Sequence, residues 1–139
     1  MKFIFLDTSY LQALANPGDD LHQRAIEVTE KLGAFVPVTS EMVLTELLNA
    51  LSSKGRYLRQ IALEITTKLQ NDSQVEIVLQ TSELFKSAVE FYSQRLDKGY
   101  SLTDCASMLI MRQKGIQDIL TYDKHFLQEG FNALLREIG

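Results

Sequence analysis

Four acidic residues, each at the edge of an apolar segment, are the groups in this chain best placed to do chemistry. Asp7 follows Lys2-Phe3-Ile4-Phe5-Leu6, and Glu46 lies within Met42 to Leu51. Asp104 opens Cys105 to Met111, and Asp123 follows Ile119-Leu120-Thr121-Tyr122. A carboxylate beside a buried segment is costly unless a cation, a hydrogen bond or a metal compensates its charge. No Lys or Arg stands within two residues of Asp7, Glu46 or Asp104, and only Lys124 adjoins Asp123. If the four converge, a divalent cation is the natural counter-charge. Convergence is therefore the expectation that the fold has to meet.

Each acid also has a simpler role open to it. Asp7 suits the N-cap of a following helix. Glu46 sits at the border of an apolar face made by Val43, Leu44, Leu47, Leu48, Ala50 and Leu51, beside polar Thr45 and Asn49. That border serves a solvated glutamate as well as one projecting into a cleft. Ser101-Leu102-Thr103-Asp104 fits a capping box, and Asp123 a turn. Caps and metal ligands are both acceptors, so residue type alone does not separate them. Cys105, with no histidine near it in sequence, reads as a small core residue rather than a nucleophile. With His22 and His125 the only histidines, a zinc site built on several His or Cys is excluded, and a histidine pair hydrolysing RNA has little support.

The elements that must position these acids are short apolar strands alternating with helices. Residues 2–6, 34–38, 75–79 and 118–121 read as strands. Helices are predicted over 10–15, 21–32, 41–53, 56–69, 82–96, 101–114 and about 124–129; 132–138 is ambiguous between strand and helix. This alternation predicts an α/β fold, a three-layer sandwich with a mostly parallel central sheet flanked by helices. Ligands of such sheets bind beyond the carboxyl ends of the strands, where Asp7 and Asp123 fall.

With 139 residues, 45% of them hydrophobic, and no linker or repeat, residues 1–139 read as one domain. No apolar run is long enough to span a bilayer and no signal core opens the chain, so no membrane contact and a cytoplasmic location are expected. A lone cysteine allows no intrachain disulfide, in keeping with a reducing compartment. The formal charge of −4 argues at first against nucleic acid, but Lys54, Arg56 and Arg59 cluster within six positions.

Taken in order, four motifs resemble the PIN-domain family of metal-dependent nucleases, especially the VapC-type ribonuclease toxins. They are Phe5-Leu6-Asp7-Thr8-Ser9-Tyr10-Leu11, Thr45-Glu46-Leu47-Leu48-Asn49-Ala50-Leu51, Ser101-Leu102-Thr103-Asp104-Cys105-Ala106 and Thr121-Tyr122-Asp123-Lys124-His125-Phe126. The resemblance implies that Asp7, Glu46, Asp104 and Asp123 bind Mg²⁺ or Mn²⁺, hard ions that prefer oxygen ligands. Ser9 and Thr121 take accessory positions in the same motifs. The implied reaction is in-line hydrolysis of RNA by metal-activated water, leaving a 5′-phosphate without use of the 2′-OH. An RNA substrate, a small antitoxin partner and a homodimer follow from the same resemblance, and Lys54, Arg56 and Arg59 are candidate phosphate contacts. Two alternatives stand beside it. A non-catalytic PIN-like scaffold would be expected to lose acids, and none is lost. A Mg²⁺-dependent phosphoryl-transfer domain of the Asp-x-Asp kind would need an acid where Ser9 stands.

Overall fold

The computed structural model describes residues 1–136. Strand and helix alternate along them: β1 (Phe3–Leu6), α1 (Thr8–Ala15), α2 (His22–Leu32), β2 (Val36–Ser40), α3 (Glu41–Ala50) and α4 (Arg56–Asn71). Then come β3 (Glu76–Val78), α5 (Ser82–Ser93), α6 (Leu102–Lys114), β4 (Asp118–Leu120), α7 (His125–Gln128), β5 (Asn132–Ala133) and a 3₁₀ turn at Leu134–Arg136. Among the described residues, five strands form one sheet in the order β3-β2-β1-β4-β5, with every neighbouring pair parallel. Helices flank it, giving the three-layer α/β sandwich expected from the sequence.

The strands are apolar because both faces of the sheet are covered. Ile4, Phe5, Val38, Ile119 and Leu120 are buried, and Leu11, Leu47, Met108 and Met111 from the helices close over them. Each large side chain buried in this way contributes about 1.5–3 kcal/mol. Helix starts follow the expected chemistry. Ser40 caps α3 by accepting from the Val43 N–H, and Thr81 caps α5 by accepting from that of Leu84.

Some boundaries differ from the predicted ranges. β2 starts two residues later than predicted and runs on to Ser40. Pro37 is tolerated there because the Val36 N–H donates to Lys2 on the β1 side, which turns the Pro37 nitrogen toward β3. β3 pairs only from Val38 onward, so the missing N–H faces no partner strand. α3 and α5 stop at Ala50 and Ser93, and turns replace their predicted last residues. The ambiguous tail is β5 followed by the 3₁₀ turn, with 137 and 138 outside the described residues.

The strand order locates the site. From the central β1 the chain moves through β2 to β3 on one side, then returns to β4 and β5 on the other. The connections leaving β1 and β4 part in opposite directions and open a crevice above the carboxyl ends of these two neighbours. Register sets Leu6 beside Leu120, which brings the residues that follow, Asp7 and Thr121, together across the crevice.

Candidate active site

Asp7 leaves β1 with its backbone N–H 3.3 Å from the Leu120 carbonyl and occupies the N-cap position of α1. Its side chain makes no capping bond there. Instead Oδ2 accepts from Thr121 Oγ1 at 2.7 Å and from Ser9 Oγ at 3.1 Å, and the two hydroxyls lie 3.1 Å apart. Thr121 Oγ1 also accepts from the Asp123 N–H at 3.0 Å. One buried hydroxyl thus links the acid after β1 to the acid after β4.

Asp104 performs both tasks that its sequence position allowed. Its Oδ2 accepts the Ser101 N–H at 3.1 Å while Ser101 Oγ accepts the Asp104 N–H at 3.0 Å, closing the capping box of α6. The same carboxylate faces the crevice. Glu46 enters from α3, whose Val43, Leu44 and Leu47 are buried while Thr45 and Asn49 are exposed. One cleft of about 280 Å³ is lined by Asp7, Glu46, Asp104 and Asp123 together with Thr8, Ser9, Gln12 and Ser101. All four predicted acids are therefore brought together.

His125 is the member that sequence reasoning missed. Its Nδ1 lies 3.2 Å from Asp123 Oδ1 and 3.6 Å from Asp104 Oδ2, yet forms a hydrogen bond with neither and is shielded from solvent. The His125 N–H donates to Asp123 Oδ1 at 2.9 Å, which folds the first turn of α7 back on the acid. Spacing offered a weak signal: two residues after an acid that precedes a helix, a side chain can return to that acid. Cys105 is buried as expected, and burial pushes its thiol up to about 11, which removes it as a nucleophile. Lys54, Arg56 and Arg59 lie outside the acidic cleft, exposed around the start of α4.

The electrostatics are unfavourable as they stand. Burial pushes the Asp7 carboxyl up to about 7, against the opposing hydrogen bonds from Thr121, Thr8 and Ser9, and the Asp104 charge adds to the rise. Asp104 is raised too, first by burial and then by the charges of Asp123 and Glu46. No Lys or Arg lines the cleft. Ligand atoms from Asp104, Asp123 and His125 all lie within 4.8 Å of one another, a spacing that one coordination sphere can span. Thr8 Oγ1, also buried and without a hydrogen-bond partner, lines the same cleft. Oxygen donors, the orphaned Nδ1 and the missing counter-charge together fit a hard divalent cation.

A parallel sheet carrying an acid-lined cleft at its carboxyl edge is the architecture of a PIN domain. The PIN-domain family model matches residues 4–131, and the chain belongs to that family. Among individual proteins it is similar to the 23S rRNA-specific endonuclease VapC20 of Mycobacterium tuberculosis, from strains CDC 1551 / Oshkosh and ATCC 25618 / H37Rv. Each is 34% identical over 131 residues, spanning 92% of this chain and 95% of the relative. A crystal structure of M. tuberculosis VapC20, described as a sarcin-ricin loop cleaving toxin, superposes with a TM-score of 0.82 at 30% identity. It covers 92% of this chain and 95% of its own.

Proposed function

We propose that this chain is an endoribonuclease that hydrolyses RNA phosphodiesters with Mg²⁺ or Mn²⁺ and serves as the toxin of a toxin–antitoxin pair. The observation that carries this reading is the meeting of four carboxylates from four separate segments in one cleft with no cation among its lining residues. The activities named for VapC20 support RNA as substrate.

In this reading Asp7, Glu46, Asp104 and Asp123 hold the ion, with His125 Nδ1 beside it. When bound, the ion supplies Lewis acidity, which acidifies water for attack and offsets charge on the phosphate. Thr121 and Ser9 keep Asp7 Oδ2 oriented, and the capping box does the same for Asp104 Oδ2. Asp7, whose carboxyl burial pushes up to about 7, would give up the proton it partly holds near neutral pH in order to serve as a ligand.

The family setting supports a small antitoxin partner and a homodimer working in the cytoplasm, with residues 1–139 as one nuclease domain. Phe85, Val89 and Tyr92 along α5, with Leu96 just beyond it, form an exposed apolar row at helical spacing that a second copy would cover. Among the described residues, no helix is long and apolar enough to cross a membrane.

The test is RNA cleavage by purified protein with Mg²⁺, with Mn²⁺, with EDTA, and by an Asp7→Asn variant. Cleavage should require the metal and fall by at least ~100-fold in the variant, since even outer-shell changes at metal sites cost 10–100-fold. Equal cleavage in every sample would discard the metal-dependent reading.

A further inference from the structure

Three clefts adjoin along α3, each sharing a lining residue with the next. The acidic cleft shares Glu46 with a second, which is also lined by Met42, Thr45, Asn49 and Thr103. The second shares Asn49 with a third of about 800 Å³, which continues past Ser52 to Arg56, Arg59 and Gln60. Charge changes sign along the way. The first is lined by four carboxylates and no cation, the third by two guanidinium groups and no carboxylate.

Resting on the nuclease reading above, we propose that the RNA strand beside the scissile bond leaves the acidic cleft along this track. It passes Asn49 and sets its next phosphates on Arg56 and Arg59. A phosphodiester strand carries a charge at every nucleotide, and beyond the ion only cations offset the repulsion from the acids. Arg56 and Arg59 are three residues apart, so they share one face of α4 about a helical turn apart. Arg59 Nη1 donates to the Ser52 carbonyl at 2.8 Å, which fixes that guanidinium beside the groove before any ligand arrives. Arginine's planar fork suits phosphate oxygens. The second cleft also shares Gln80 and Phe85 with a pocket of about 270 Å³ that includes Lys86. A strand leaving that way meets one cation and a smaller space.

The test uses the full chain with a labelled, unpaired RNA oligonucleotide. Affinity is measured against salt in Mg²⁺ on an Asp7→Asn background, and cleavage on the native one. Arg56→Gln with Arg59→Gln should weaken binding roughly tenfold near 0.1 M salt and reduce the slope of log affinity against log salt by about 1 to 1.5. Lys68→Gln, about 14 Å from Arg59 and about 18 Å from Arg56 along the same helix, is the control for removing a positive charge elsewhere on α4 and should change neither. If the native chain cleaves RNA but the arginine pair behaves like the control, the track is wrong and the nuclease reading stands. A loss on Lys86→Gln in place of the arginine pair would route the strand along α5 and overturn the proposal. Intact RNA affinity with lost binding of a co-purified protein partner would make the groove a protein-docking surface, which also overturns it. A native chain that neither binds nor cleaves RNA would remove the nuclease reading itself.

Discussion

Thr121 joins two of the acids through a single oxygen, donating to Asp7 and accepting from the Asp123 backbone. Thr121→Val keeps the shape and removes both bonds. Activity is expected to fall about 10–100-fold, with a parallel loss of metal affinity and little change in fold. Titration calorimetry with Mn²⁺ beside a cleavage assay checks this. Asp7 has a further consequence for stability. Its folded carboxyl titrates at about 7, above the 3.8 of an unperturbed aspartate, because of burial. Between those pH values the folded chain holds a proton that the unfolded chain has released. The stability of the metal-free protein should therefore be greater at low pH and decline as pH rises through 4 to 7. Thermal melts in EDTA from pH 5 to 8 should show a falling Tm. Asp7→Asn should flatten that fall and raise the Tm at pH 8 by a few degrees, the size expected for about 1 kcal/mol.

At the scale of elements, the site depends on how α7 sits against α5 and α6. Glu129, just after α7, accepts from Arg95 Nε at 3.0 Å, Tyr100 Oη at 2.9 Å and Arg112 Nη2 at 2.7 Å. The Tyr100 ring in turn lies 5.1 Å from that of His125, which faces Asp104 and Asp123. Although burial opposes it, these bonds from Arg95, Tyr100 and Arg112 hold the Glu129 carboxyl down to about 2. Its contribution is full above the usual carboxylate range and fades as pH falls toward 2. Glu129→Gln should cost about 1–3 kcal/mol and erase that acid-side dependence in chemical denaturation run between pH 3 and 6. Cleavage should also weaken, because the first turn of α7 loses its anchor. Most of these elements were legible. Ser40, Thr81 and Ser101 announced helix starts, and Gly33 and Gly115 announced stops. β5, two residues long, carried too little periodicity to be separated from the turn that follows it.

For the whole molecule, gathered carboxylates make folding and metal binding one linked equilibrium. A ligand that binds only the folded chain at a hundred times its Kd adds about 2.7 kcal/mol. Millimolar Mn²⁺ should therefore raise the Tm by several degrees at pH 7.5, and EDTA should reverse it. Asp7→Asn, which keeps three of the four carboxylates, should show a smaller rise. An unchanged Tm in the native chain would mean that the cleft does not load a cation in the folded state.

The order of segments, the parallel α/β class and the identities of the four acids were written locally, in apolar runs, caps and motif spacing. Those features depend on neighbours a few residues apart, which a linear reading captures. What only the tertiary structure decided was which roles coexist: Asp7 gave up capping for Thr121 and Ser9, while Asp104 kept its cap and faced the cleft as well. His125 and the passage from Glu46 through Asn49 to Arg56 and Arg59 belong to that second kind. They arise where β1 and β4 lie side by side and α3 meets α4, and distance across a fold leaves no periodic trace in the chain.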